Sequence, residues 1–326
     1  MRAVVLEEYG EPEVLQIQEV PDPAVGEEEI LVTVTATALN RADLLQRRGM
    51  YPGPKMTHEI PGMEFSGVVE AVGERVGEHQ IGDEVMGIVG GGAYAEKLVT
   101  HARQAVRVPS TVRVEDAAAL PEVFITAYDA MVLQGGLTTG RTALVHAGAS
   151  GVGTAAIQIA KAMGARIVVT ASAGKLDRCR ALGADVAVDY ASEDFVEAAL
   201  AATDGAGVDV VLDVIGGDYL AKNLKSIRVT GTIVQVGVMN PASPEIPLGL
   251  MLGKRAKLIG TVLRARPIEE KIAVTNRFAR DLVPLFDQGR LQPVIDSRYR
   301  LETMAQAHRY METNANVGKI LVDVAG

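Results

Sequence analysis

Residues 30–38 (ILVTVTATA) alternate without a break. Ile30, Val32, Val34, Ala36 and Ala38 fall on one side, and Leu31, Thr33, Thr35 and Thr37 fall on the other. Successive strand side chains point to opposite faces, so this period of two predicts a half-buried antiparallel strand. Short apolar runs punctuated by glycine and proline continue through SGVVEAVG, GDEVMGIVGGGAYAEKLV and AVRVP. The first ~120 residues thus predict a mostly β domain of barrel type.

From about residue 122 the pattern changes. Apolar strands (TALVHA, RIVVTA, DVAVD, VDVVLDVI, GTIVQVG, KLIGTVL) now alternate with helical segments (VGTAAIQIAKAMG, KLDRCRALG, EDFVEAALAA, DYLAKNLKSI). Six strands with interleaved helices predict an α/β doubly wound parallel sheet. Val152, Ala155, Ala156, Ile159, Ala160 and Met163 recur at three- and four-residue spacing, which makes the first of these helices amphipathic. After residue 265 a helix (IEEKIAVTNRFARDLVPLF) and the short strands QPVIDSRYR and KILVDV predict a return to the first domain. The expected organisation is 1–121 with 265–326 as one domain and 122–264 as the other.

The segment HAGASGVG at 146–153 joins an apolar strand to that amphipathic helix. Gly148, Gly151 and Gly153 give G-x-x-G-x-G, a variant of the dinucleotide fingerprint. Glycines are needed there because the chain must turn sharply, let a pyrophosphate approach the backbone, and pack helix against sheet. The helix N-terminal amides then receive the anion. Gly148, Ser150, Gly151, Val152 and Gly153 are the candidate contacts. An NAD site usually ends its second strand with Asp or Glu, which binds the ribose hydroxyls. Here RIVVT runs into Ala171-Ser172-Ala173-Gly174-Lys175 without a carboxylate. Ser172, Lys175 and, after the third strand, Tyr190 suit a 2′-phosphate, with Arg178 one helical step further, so NADPH is expected over NADH. The competing reading makes Lys175 and Arg178 solvated helix residues and Tyr190 a packing residue.

Length and charge narrow the partners. A chain of 326 residues exceeds one comfortable core, which supports two domains. A net charge of −9 argues against nucleic acid or an anionic membrane as partner. No run of about 18 apolar residues exists, and the acidic start MRAVVLEEYGEPE lacks signal-peptide anatomy, so a cytoplasmic location is expected. Cys179 is the single cysteine, which excludes an internal disulfide and a thiolate-rich zinc site.

Several motifs then converge: NRADLLQRRGMY at 40–51, GDEV at 82–85, PEVFITAY at 121–128, HAGASGVGTAAIQ at 146–158 and NVGKI at 316–320. Together they resemble the medium-chain dehydrogenase/reductase family, in its zinc-free quinone oxidoreductase branch. The resemblance implies a GroES-like catalytic domain built from both chain ends, a central Rossmann domain, and a homodimer or homotetramer with sheets paired edge to edge. Zinc members of the family resemble one another in a Cys after the long strand and a G-H-E-x-x-G segment. This chain has Asn40 and Met63 at those places, and its five histidines do not pair at ligand spacing, so no metal is expected. Without a Lewis acid, alcohol oxidation loses its main transition-state stabilisation. A quinone or other conjugated carbonyl is already electrophilic and needs orientation and a donor to the developing oxyanion.

By this resemblance Tyr51 and Asn40 border the nicotinamide and substrate, with Tyr51 the group that hydrogen-bonds or protonates the substrate oxygen. The alternatives are a loop tyrosine without a role, and for Asn40 a helix N-cap completed by Asp43. Thr126 lies near the nicotinamide in the family, or simply packs. Gly237 and Val238 follow the fifth strand, and Leu263 and Arg264 follow the sixth. Carboxyl ends of parallel strands are where open α/β sheets bind ligands, and the family places nicotinamide contacts there, largely through backbone. Asn314 aligns loosely with a cofactor-side position that some relatives fill with a basic residue. The expected activity is NADPH-dependent quinone reduction. The alternatives are an alkenal/enone double-bond reductase and an NADPH-binding protein with a non-catalytic, moonlighting role.

Overall fold

The alternating segment forms the strand Glu29–Ala38 at the heart of a seven-stranded sheet, in a computed structural model that describes residues 1–51, 53–54, 57–240, 243 and 245–324. Its neighbours are Glu64–Val72 and Lys97–His101, both antiparallel, and Lys319–Asp323 from the far end of the chain. Ile295–Arg300 runs parallel to Lys319–Asp323 at one edge, while Glu84–Ile88 and Ala105–Arg107 continue the other side.

The predicted alternation holds for Ile30, Val32 and Val34, which enter the main core with Phe65, Val69, Val85 and Tyr94. It then breaks. The register against the next strand shifts between Val34 and Ala36, and beyond that bulge Leu39 joins the main core. Ala36 and Ala38 pack instead with Ala118, Ala119 and Leu321. An extra residue on one strand locally re-aims the side chains that follow it, so a strict sequence period no longer maps onto one face.

The chain divides into two compact units, Met1–Glu122 with Arg264–Gly326 and Val123–Leu263. In the second, six parallel strands lie in the order Val186–Asp189, Arg166–Ala171, Thr142–Val145, Val208–Asp213, Ile227–Gln235, Lys257–Gly260. This is the Rossmann order, and the switch point falls between Thr142–Val145 and Val208–Asp213. Leu144, Val168, Val211 and Ile233 from the sheet meet Phe195, Ala199, Leu220 and Leu224 from the helices. The helix Gly151–Ala162 is buried beyond its predicted apolar stripe: Thr154, Ile157 and Gln158 are covered as well. The motif PEVFITAY forms the α-helix Pro121–Tyr128, and the chain continues as a π-helix over Asp129–Gln134. The first unit is the GroES-like one, and no helix among the described residues is long and apolar enough to cross a membrane.

Candidate functional site

In the Rossmann unit the glycine-rich loop leaves the central strand and turns through Ala147, which has a left-handed φ of 55°. The amide of Gly148 donates to the Thr170 carbonyl at 2.8 Å, pinning the loop to the second strand. A Cβ at Gly148 would sit 2.5 Å from Val169 Cβ, and one at Gly153 would sit 2.3 Å from the Ala147 carbonyl oxygen. Neither position can carry a side chain without moving the loop. Ser150 is the N-cap of Gly151–Ala162, and its hydroxyl accepts from the Gly153 amide at 3.1 Å. Ser150, Gly151, Val152 and Gly153 thus lie together at the start of a twelve-residue helix, where orphan amides favour an anion.

Beneath this loop is a polar scaffold that sequence reasoning missed. His146 is 1% exposed, and its imidazole bridges Thr170 Oγ1 at 3.1 Å and Asn223 Oδ1 at 2.7 Å, edge-on to Phe195 and Tyr219. Burial pushes its pKa down, which keeps the ring neutral. Asn223 passes the chain on to Asp213 Oδ2 at 2.8 Å. Asp213 Oδ1 takes the amides of Ile215 and Gly216, so the loops after the first and fourth strands are tied to one buried carboxylate. The signal was available: an aspartate ending an apolar strand has no partner within its own strand.

Ser172 and Tyr190 follow the second and third strands, and the Tyr190 amide donates to the Ala171 carbonyl at 3.3 Å, which brings the two ends side by side. Lys175 closes the short helix Ala173–Lys175, and its amide donates to the Ser172 carbonyl. Tyr190 is 53% exposed, which disfavours a packing role. Gly237 and Val238 follow the fifth strand; the Gly237 carbonyl accepts from Gln235 Nε2 at 2.6 Å, and a Cβ at Gly216 would lie 3.3 Å from Val238 Cγ1. Thr126 and Leu263 are buried in the same unit.

The remaining predicted residues lie in the GroES-like unit. Asn40 is the N-cap of Arg41–Arg47, with the Asp43 carboxylate accepting from its amide at 2.8 Å. The Asn40 side chain is spent in a different direction. Its Nδ2 donates to Glu64 Oε1 at 2.7 Å, and its Oδ1 accepts from Lys319 Nζ at 2.8 Å. Lys319 is 4% exposed and Glu64 fully buried, with their charges 2.7 Å apart. The third ammonium proton reaches the Leu39 carbonyl at 2.7 Å. Glu64 Oε2 accepts the Glu122 amide at 2.9 Å. Burial, reinforced by Glu64, pushes the Glu122 carboxyl up to about 8. Burial likewise raises Asp43 to about 6, although the Asn40 amide and the Tyr94 hydroxyl, 3.0 Å away, favour its charged form. Tyr94 also lies 3.3 Å from His308 Nε2, whose pKa burial depresses to about 3.

Tyr51 is half-buried, and burial raises its phenol pKa. Its hydroxyl makes no hydrogen bond among the described residues. The Arg264 guanidinium lies over its ring, 5.0 Å from the centroid. Arg264 therefore turns its side chain toward Tyr51, leaving only its backbone for the expected cofactor contact. Asn314 has a left-handed φ of 55° after the helix Met304–Glu312, and its Oδ1 accepts from Arg41. Glu64, Glu122 and Lys319 are the members that sequence reasoning missed, although Glu64 stood beside Met63 and Lys319 lay within the NVGKI motif.

Comparison with known proteins agrees with this architecture. The family profile described as the alcohol dehydrogenase GroES-like domain matches residues 26–110, and that described as zinc-binding dehydrogenase matches residues 182–322. The mouse synaptic vesicle membrane protein VAT-1 homolog is 31% identical over 348 residues, covering 99% of this chain and 83% of that protein. A solved structure described as an NAD-dependent alcohol dehydrogenase aligns with TM-score 0.90 at 32% identity, covering 100% of both chains. The Escherichia coli quinone oxidoreductase solved in complex with NADPH gives TM-score 0.88 at 29% identity, over 99% of this chain and 100% of that one. Both units and nearly every residue take part in these matches, and the chain belongs to the medium-chain dehydrogenase/reductase superfamily.

Proposed function

We propose that this chain is an NADPH-dependent reductase of quinones that works without a metal. The observation that carries the cofactor half is the second strand's end: Ser172 and Tyr190 lie side by side there, with Lys175 three residues on and no carboxylate to repel a 2′-phosphate. The NADPH-bound quinone oxidoreductase relative supports the same reading. In this proposal the loop from Gly148 to Gly153 holds the pyrophosphate on helix amides. The backbone at Gly237, Val238, Leu263 and Arg264, with Thr126 and Asn314, borders the nicotinamide.

The dinucleotide supplies hydride when bound. The chain supplies orientation and a proton donor: Tyr51 offers its hydroxyl to the substrate oxygen, and its ring suits a planar partner. Asn40 serves by holding the first turn of Arg41–Arg47 and the Glu64–Lys319 pair. Zinc, which the second family profile carries in its description, does not fit these residues. Asn40 and Glu64 are already engaged by Lys319, Met63 offers no nitrogen donor, and among the described residues no three His, Cys, Asp or Glu side chains are grouped to hold a metal. A conjugated enone would meet the same donor and is the second substrate class. We further propose a homodimer formed along the edge strand Lys257–Gly260 and a cytoplasmic location.

The test is consumption of NADPH and of NADH with 1,2-quinones, 1,4-quinones and an enone. Turnover of quinones with NADPH supports the reading. Binding of NADPH without oxidation by either substrate class replaces it with a non-catalytic role, and one equivalent of tightly bound zinc overturns the metal-free part.

A further inference from the structure

Arg264 directs every arm of its guanidinium around one side chain. Nε donates to the Gly90 carbonyl at 2.7 Å, Nη2 to Gln46 Oε1 at 2.7 Å and Nη1 to the Tyr51 carbonyl at 3.3 Å, while the plane covers the Tyr51 ring. Gln46 is itself buried and donates to Glu59 Oε1 at 3.0 Å. A Cβ at Gly53 would lie 2.9 Å from Arg264 Nη2 and 2.7 Å from Gln46 Nε2, so a larger residue there would push on both ends of the clasp. None of the groups that accept from Arg264 is a carboxylate, and the cation makes no ion pair among the described residues. Keeping a partly desolvated charge without a direct counter-ion is costly. Beside it is a tyrosine whose hydroxyl has no hydrogen-bond partner among the described residues.

We infer that Arg264 is a positioning residue for Tyr51: it fixes the ring, and its charge favours the phenolate left when Tyr51 gives its proton to the reduced substrate. This rests on the proposed function, and it assigns the Arg264 side chain a role distinct from cofactor contact. Bound NADPH would supply a hydride, and the substrate oxygen would be left with an electron pair that takes a proton. The Tyr51 O–H bond breaks as the new O–H bond forms at the substrate, and solvent later returns a proton to the phenolate. Arg264 opposes the burial that raises the Tyr51 phenol, while Glu122 and Asp43 reinforce it. Asp43, Glu59 and Glu122 act on Arg264, and Lys271 is the further cation that senses it.

The experiment compares Arg264→Lys, Gly53→Ala, Tyr51→Phe and the Arg264→Lys/Tyr51→Phe double variant. It measures kcat and KM for quinone across pH, NADPH affinity by fluorescence titration, and hydrogen exchange of the amides at 46–51. Lysine keeps the charge but lacks the planar fork. Arg264→Lys is expected to lose about a hundredfold in kcat, with NADPH affinity unchanged and faster exchange at 48–51. Gly53→Ala should give a smaller change in the same direction. The double variant should be no slower than Tyr51→Phe alone. Additive losses in the double variant, or unchanged exchange and kcat in Arg264→Lys, overturn the inference. A wild-type protein that turns over no quinone defeats the functional reading instead, and the exchange data still decide whether Arg264 holds the Tyr51 segment.

Discussion

At the scale of single residues, the least expected feature is the ion pair of Lys319 and Glu64 inside the GroES-like unit. Lys319 lies within the NVGKI motif and opens an apolar strand, and nothing in KILVD announces that its first side chain lies 4% exposed. Its three protons find three acceptors, which is what allows an ammonium to stay buried. Removing one partner leaves the other charge stranded, so Lys319→Met should cost about 3–5 kcal/mol in chemical denaturation. A loss below about 1 kcal/mol, the scale of an exposed pair, would contradict that account. Glu122 gives a second residue-scale prediction. Its folded pKa of about 8 lies above the ordinary carboxylate value. The folded form therefore binds more protons than the unfolded one between roughly pH 4.5 and 8. Glu122 contributes fully to stability below that window and loses its contribution as pH rises through 8. His308 runs the other way: its folded value of about 3 means stability is lost as pH falls from about 6.5 toward 3. Glu122→Gln should raise the Tm at pH 8 relative to the parent and leave it nearly unchanged at pH 4.5. A lower Tm at pH 8 would show that the carboxylate is needed in its charged form.

Among the elements, the strand–loop–helix unit at 142–162 was legible in the sequence because its chemistry is local. Glycine spacing, an apolar strand before it and helical periodicity after it all act within twenty residues. The structure adds the reason Gly148 must be glycine, a contact with Val169 that the spacing alone does not reveal. Gly148→Ala should destabilise the Rossmann unit by about 1–3 kcal/mol through overpacking and weaken NADPH binding at least tenfold, measured by calorimetric titration. Unaltered affinity would remove this loop from the binding site. What was illegible depends on distant partners. The bulge between Val34 and Ala36 is set by pairing with Glu64–Val72, so the flawless alternation of ILVTVTATA predicted one face where there are two. Asn40 read as either a helix N-cap or a cleft residue; it is the N-cap of Arg41–Arg47, but the lysine that occupies its amide oxygen lies 279 residues away. Arg264 read as a cofactor contact following the sixth strand, whereas its guanidinium lies over a tyrosine 213 residues earlier.

For the molecule as a whole, the parallel sheet ends on Lys257–Gly260, whose outer edge pairs with no strand among the described residues. On that strand Leu258 is 36% exposed, and Val262 just after it 48%. An exposed apolar edge strand is a template for pairing. Light scattering should thus return twice the 34.5 kDa chain mass, and Val262→Lys should shift the protein toward monomer; a monomeric parent would end the proposed edge-to-edge dimer. The central claim, the proposed NADPH-dependent reduction of quinones with Tyr51 as donor, is tested most directly by one kinetic comparison. NADPH and NADH oxidation should be followed side by side with a 1,2- and a 1,4-quinone, for the parent and for Tyr51→Phe. The account predicts quinone turnover with NADPH at least tenfold above NADH, and a marked loss of kcat in Tyr51→Phe. Equal or better turnover with NADH, or full turnover in Tyr51→Phe, would contradict it.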